Sequence, residues 1–291
     1  MSGVNLPVEY KIHQYRFDNF TRYENIIREA MNALGYVESE DPDINIYNHC
    51  HYTELDTDNN IIFKPTAPST KYFAIDRLGY ASASLLSFQE PEVYEMPDSN
   101  TIKNLIKNKS NKWDESILLK WRSPKKIPKD HILVIGQMPD DESVTRHSFG
   151  NHIEKINSIL KELKEENVLL KLHPRYKAPK KLLEKWKDYG IEILSGYYSI
   201  HDVLPHTKVA VLENSTAGIE CMMHNVPIIS YGYPVYHWAT YKLQSLTELK
   251  AVINNIGWYD EDYANSFIKW YIDYYLCHDV RTTMRRLENV I

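Results

Sequence analysis

From residue 132 onward, short apolar runs alternate with segments whose apolar residues recur every three or four positions. Ile132 to Ile135, Val168 to Leu172, Ile191 to Leu194, Val209 to Leu212 and Pro227 to Ser230 have the length and β-branched content of buried strands. Between them, Ile153, Ile156, Leu160 and Leu163 space an amphipathic helix. Leu182, Leu183 and Trp186 space another, opened by Pro179 and stopped at Gly190. A helical stretch near Ile200 to Leu204 precedes the fourth strand, and Ile219, Met222 and Met223 continue as a helix after it. Strands alternating with helices predict an α/β fold with a parallel, doubly wound sheet.

The earlier part of the chain is less regular. Val8 to Tyr15 reads as a short strand, and Thr21-x-x-Glu24 as a capping box opening a helix. Tyr23, Ile26, Ile27, Ala30 and Leu34 share one face of that helix, and Gly35 ends it. Ile44 to Tyr47, Ile61 to Phe63 and Tyr72 to Ile75 are further strand candidates, with the polar loop Lys64 to Ser69 at a strand end. Pro124, Pro128 and the charges around them mark a boundary. The expected organisation is an α/β domain over 1–125, a second over 126–258, and helices over 259–291. Ala264, Phe267, Ile268, Tyr271 and Tyr275 form a face in that tail, which is expected to cross back onto the first domain.

Composition narrows the class. A length of 291 residues suits two cores, and 43% apolar with 25% charged residues is the balance of a globular protein. No apolar run approaches the ~20 residues of a membrane span, and no signal peptide opens the chain. Cys50, Cys221 and Cys277 show neither paired nor metal-binding spacing, so a reduced, cytoplasmic protein is expected. The net charge of −5 argues against a uniformly basic nucleic-acid binder. Yet between Thr101 and Asp130 nine Lys/Arg face three Asp/Glu, a local +6 that leaves −11 elsewhere. That segment is either a solvated linker or a surface for a polyanion.

Every polar cluster of the second half falls where a predicted strand ends: Gln137 to Ser143, His173 to Arg175, Asn214 to Thr216 and Gly232 to His237. Ligands of open α/β sheets bind there. Ser215 and Thr216, at the start of a helix, are either ordinary caps or an anion site, since both use the same free N–H groups. Asp140 and Asp141 include a candidate general base or are solvated turn residues. His173, flanked by Lys171 and Arg175, either meets an anionic ligand or is structural. Glu220 suits a ribose hydroxyl acceptor or an exposed helix position. The chain has no dinucleotide fingerprint, phosphate-loop lysine, Gly-x-Ser-x-Gly or Cys/His metal spacing, and Asp140 and Asp141 do not form an Asp-x-Asp metal-binding pattern.

Taken together, these residues resemble the capsule polysaccharide biosynthesis glycosyltransferases, the bacterial β-Kdo transferase group. The matching motifs are Gln137-x-x-x-Asp141-x-Ser143, Lys171-x-His173-Pro174, Asn214-Ser215-Thr216-x-Gly218-x-Glu220, and the later Gly232 and Tyr236, in that order. The resemblance implies a GT-B fold, with two Rossmann-like domains facing across a cleft, the donor on the second and the acceptor on the first. It implies metal-independent, inverting transfer with no cofactor, from a nucleotide sugar such as CMP-Kdo to a glycan or glycolipid hydroxyl. Asp141 would be the base, and His173, Ser215 and Thr216 would hold the donor phosphate. Glu220 would hold the ribose, and Lys171 and Arg175 would offset leaving-group charge. Gln137, Ser143, Asn214 and Tyr236 would complete the donor pocket, and Lys64, Thr66 and Ser69 are the acceptor-side candidates. Two other readings stand beside this one. The first is a phage-type transferase acting on a hydroxymethylated DNA base, flipped out to reach the site, with the Lys103 to Lys129 stretch on the DNA. The second is a non-catalytic nucleotide-sugar-binding module.

Overall fold

The computed structural model describes residues 8–13, 20–49, 55, 59–93, 100–112, 126–146 and 148–291. Cys50, Pro124 and the last two residues of the Val8 to Tyr15 strand candidate lie outside them. The first sheet contains β1 (Glu9–His13), β2 (Val37–Glu38), β3 (Ile44–Asn48), β4 (Asn60–Pro65) and β5 (Phe73–Asp76) in the order β2-β1-β3-β4-β5. Its pairings are parallel except β4 with β5, which run antiparallel. That is why Lys64 and Pro65, read as loop residues, belong to β4, where Lys64 pairs with Ala74 and Pro65 with Phe73.

The helix α1 (Thr21–Ala33) covers this sheet, burying Tyr23, Ile27, Ala30 and Met31. It ends as expected at Gly35, whose φ of +86° suits a residue without a Cβ. Its start differs from expectation. Phe20 is the N-cap with helical dihedrals and no side-chain cap, and Thr21 is already the first helical residue, so no capping box forms. The Glu24 side chain is buried instead of reaching back to a cap.

The second sheet contains β6 (His131–Ile135), β7 (Val168–Lys171), β8 (Glu192–Leu194), β9 (Thr207–Leu212), β10 (Ile228–Ser230) and β11 (Tyr241–Lys242). All pairs are parallel and the order is β11-β10-β9-β6-β7-β8. Counted within this sheet the order is 6-5-4-1-2-3, so the chain reverses its winding between β6 and β9. Ligand crevices of doubly wound sheets open at that switch point. Leu133, Val134, Val209, Ala210, Val211 and Leu212 are fully buried there, which explains the unbroken apolar runs.

The connecting helices include α2 (Leu85–Phe88), α3 (Asn100–Lys107), α4 (Glu142–Thr145), α5 (His152–Glu162), α6 (Lys180–Asp188), α7 (Ile200–Val203), α8 (Ala217–Met223) and α9 (Leu249–Asn254). The tail forms α10 (Glu261–Trp270), a π-helical turn over Tyr271–Tyr275, and α11 (Val280–Val290). Between the last two, Cys277 exchanges backbone hydrogen bonds with Phe73 at 2.9 and 2.8 Å, extending the edge of the first sheet. Leu287 and Val290 then enter the core built by Tyr10, Ile27, Ile46 and Phe63. Arg286 Nε donates to the Ile75 carbonyl at 3.0 Å. The two α/β sheets, facing across a cleft with the tail crossing back, have the GT-B arrangement. Among the described residues no helix is long and apolar enough to cross a membrane.

Candidate functional site

A cavity of about 910 Å3 lies between the two sheets. From the second sheet it is lined by Gln137, Asp140, Asp141, Ser143, Lys171, His173, Arg175, Asn214, Ser215, Thr216, Glu220 and Tyr236. From the first half come Lys64 and Thr66, joined by His49, Tyr80 and Lys112. Ser69 alone among the predicted site residues stays outside. Its hydroxyl accepts the Lys71 amide at 3.3 Å and its carbonyl accepts the Tyr72 amide at 3.0 Å, so it closes the turn into β5.

The loop after β6 carries the carboxylates. Asp141 caps α4, its Oδ1 accepting the Ser143 amide at 2.9 Å and the Ser143 hydroxyl at 2.5 Å. Burial works to raise the Asp141 pKa, but the two Ser143 hydrogen bonds and the Lys64 and Lys112 charges outweigh it, and the carboxyl titrates below its usual value. Ser143 is therefore Asp141's partner first. Gln137 and Asn214 are likewise occupied with each other. Gln137 Nε2 donates to Asn214 Oδ1 at 2.9 Å, and the Asn214 amide donates to Gln137 Oε1 at 3.1 Å. This pair clamps the β6 and β9 loops together across the switch point.

Beneath that clamp lies a buried ion network. Glu213, fully buried, accepts from His152 Nδ1, from Ser148 and from Lys155 Nζ at 2.5 Å. The Gln137 amide donates to His152 Nε2 at 3.1 Å, which leaves the His152 proton on Nδ1, facing Glu213. The Glu213 pKa is lowered: burial opposes ionisation, and the three side-chain partners overcome it.

His173 follows β7, its loop held against Gly196, where a Cβ would collide with the His173 and Pro174 backbone. Its Nδ1 accepts the Arg175 amide at 3.2 Å, so the proton sits on Nε2. Burial, then the Lys112 charge, drives its pKa down to about 3, and the ring is a neutral N–H donor at physiological pH. Lys171, at the end of β7, is buried with its Nζ 3.4 Å from the Gly196 carbonyl, and burial lowers its pKa to about 8.

After β9 the turn is built for close approach. Ser215 Oγ accepts the Ala217 amide at 3.2 Å, whereas Thr216, the N-cap position, makes no side-chain cap. Tyr236, 1% exposed, donates its hydroxyl to the Ser215 carbonyl and lies where a Cβ on Gly218 would sit. Glu220, one turn into α8, is 5% exposed, and its Oε2 has no hydrogen-bond partner among the described residues. Burial raises its pKa to about 7 despite Lys112 and Lys171 nearby. A carboxylate buried without a partner at a cavity wall is costly unless a ligand supplies donors.

With this geometry in place, the comparisons with known proteins decide the family. The family model described as capsule polysaccharide biosynthesis protein matches residues 74–250, more than half of the chain. The chain belongs to that capsule polysaccharide biosynthesis family. A curated relative, the capsule polysaccharide export protein KpsS of Escherichia coli, is 30% identical over 121 residues, 36% of this chain. The match spans 31% of that relative's length, about a third of it. Among solved structures, the Thermosulfurimonas dismutans KpsC β-Kdo 2,7 transferase aligns at 17% identity over 84% of this chain and 89% of that one, with a TM-score of 0.46. The S. aureus MnaA–UDP structure aligns at 11% identity over 92% and 97%, with a TM-score of 0.37.

In this capsule-family chain, sequence reasoning missed three cavity residues, Tyr80, His49 and Lys112. Tyr80 donates to Glu142 Oε2 at 2.6 Å, and His49 Nε2 lies 3.1 Å from the same oxygen. Lys64 Nζ sits 3.4 Å from the centre of the Tyr80 ring, a cation–π contact. Burial lowers the His49 pKa to about 4 and that of Lys64 to about 7. His49 stands at the end of β3, beside the β1/β3 switch of the first sheet, and that topology is the signal that could have found it. The third, Lys112, comes from the basic segment read as a linker or a DNA-facing surface. Of that segment, Lys109 pairs with Asp202 at 2.6 Å and Lys112 turns into the cavity, while 113–125 lie outside the described residues.

Proposed function

We propose that the chain is a metal-independent, inverting glycosyltransferase that moves a sugar from a nucleotide-sugar donor to an acceptor hydroxyl. The second sheet holds the donor in this reading, and the first sheet presents the acceptor, a glycan or glycolipid. The observation that carries it is the meeting of Asp141, His173, Ser215 and Glu220 in one cavity at the switch point of the second sheet. His173 Nε2–H and the Ser215 hydroxyl, whose oxygen already accepts the Ala217 amide, are donors suited to the donor phosphate. Glu220, without a partner for Oε2, suits the ribose hydroxyls. Asp141, facing Lys64 and Lys112, takes the proton from the acceptor hydroxyl as that oxygen bonds to the anomeric carbon. The nucleotide phosphate departs on the opposite face with the bonding pair, its charge offset by Lys171 and Arg175. The family resemblance favours CMP-Kdo as the donor.

The test is to incubate the chain with CMP-, UDP-, GDP- and CDP-linked sugars and follow thermal stabilisation and nucleotide release. One donor class should raise the melting temperature. Asp141→Asn should retain that shift and lose at least a hundredfold in transfer, the usual scale for a removed base. If no nucleotide or nucleotide sugar shifts the melting temperature, the donor site is misassigned.

A further inference from the structure

The stretch after α3, Asn108 to Lys112, is gripped from both sides. Lys109 Nζ meets Asp202 Oδ1 at 2.6 Å, and His201 Nε2 donates to the Ser110 carbonyl at 2.8 Å. With that proton on Nε2, His201 Nδ1 accepts from His224 Nε2 at 2.9 Å, a second tie within the second half. From the first half, the Thr70 amide donates to the Asn111 carbonyl at 3.1 Å, and Asn111 itself is buried. Lys112 follows these contacts directly, so its place in the cavity is set by backbone held on two fronts.

There its ammonium stands within electrostatic reach of Asp141, Glu220 and Arg175. Asp141 is the base of the reading above and Glu220 the ribose partner, so the carboxylates acting on Lys112 belong to both ends of the expected donor. Lys64, Lys171 and Arg175 line the same cavity. Burial disfavours each ammonium, and Lys112 and Lys64 repel one another. The cations Lys64, Lys112, Lys171 and Arg175 share the cavity with the carboxylates Asp140, Asp141 and Glu220, and an entering anion offsets the excess positive charge.

We propose that Lys112 is an anion-binding residue of the donor site, contacting the phosphate that joins nucleotide to sugar. The stretch Asn108 to Lys112 is then part of the substrate-binding surface. The inference rests on the glycosyltransferase reading, and its test separates the two. The full-length chain is titrated calorimetrically with CMP and with UDP, in wild type and in Lys112→Met, Lys112→Arg and Lys103→Met, the last an exposed lysine on α3. Whichever nucleotide binds should lose at least tenfold in affinity in Lys112→Met, remain within threefold in Lys112→Arg, and be unchanged in Lys103→Met. Melting temperatures within a few degrees of wild type identify folded variants, and Lys112→Arg serves as the folded reference if the methionine variant fails. Equal affinity in wild type and Lys112→Met, or a tenfold loss in Lys112→Arg despite a normal melting temperature, overturns the Lys112 assignment alone. Wild type binding neither nucleotide overturns the donor-site reading and this inference with it.

Discussion

The Tyr80 hydroxyl donates to Glu142 Oε2 at 2.6 Å, joining the first half of the chain to the residue beside Asp141. The contact spans the cleft and is one of the ties, with Lys109–Asp202 and Trp238 to the Leu86 carbonyl, that hold the two halves together. Tyr80→Phe removes a hydrogen bond to a carboxylate and should lower stability by about 1.5 kcal/mol. Urea unfolding measures that loss, and small-angle scattering should show a larger radius of gyration. An unchanged radius would mean that the remaining interface holds the sheets without this bond.

His152→Ala should be among the most damaging single changes. It strips a partner from Glu213, which is fully buried and would keep, among the described residues, the side chains of Lys155 and Ser148. Removing a hydrogen-bond donor from a buried carboxylate costs about 1.5–3 kcal/mol. The pH dependence follows from the lowered Glu213 pKa: its stabilisation is complete above the unfolded value of about 4.3 and disappears as pH falls through the lower folded value. The wild type should therefore lose stability below about pH 4.3 more steeply than His152→Ala, as read from urea midpoints between pH 3 and 6.

Glu220 should pull stability and binding in opposite directions. Its folded pKa, raised to about 7, lies above the unfolded value, so its contribution is complete below about pH 4.3 and is lost as pH rises through 7. Glu220→Gln removes the buried charge and should raise the melting temperature at pH 8 by roughly 5 °C, with little effect at pH 4. The same variant should weaken nucleotide binding about tenfold. A melting temperature that drops at pH 8 would show that the carboxylate is stabilised in the empty protein.

Gly218→Ala should destabilise by about 1–3 kcal/mol, because the new methyl falls on the Tyr236 phenol. Combined with Tyr236→Leu, the cost should be less than the sum of the two single changes, the mark of one shared space. Strict additivity in the double-mutant cycle would place the strain elsewhere.

The strands of the second half were legible because a sheet covered on both faces needs uninterrupted apolar runs, and such runs stand out. The cavity residues at their ends were legible for the same reason, as polar loops between apolar segments. What escaped was set by contacts distant in sequence. Thr21-x-x-Glu24 has the letters of a capping box, but the chain enters α1 at Phe20 and buries Glu24. Ser69 sits one residue from Thr70, whose amide ties down Asn111, yet its own hydroxyl is used up in a turn. Lys112 looked like one lysine of a charged run, and only His201, Asp202 and Thr70, remote along the chain, decide where it points. Gln137 and Asn214 were found as polar positions, but their pairing across 77 residues has no trace in either motif alone.

The return of the tail to the first sheet has a consequence for how the protein is made. Phe73 finds its backbone partner in Cys277, and the core around Tyr10 and Phe63 is closed by Leu287 and Val290. While the second half is still being made, the first sheet has an open edge at β5 and a core that α1 covers only in part. That edge and core are completed only when Cys277, Leu287 and Val290 have emerged, an interval in which an unpaired strand edge and exposed apolar surface invite misassociation.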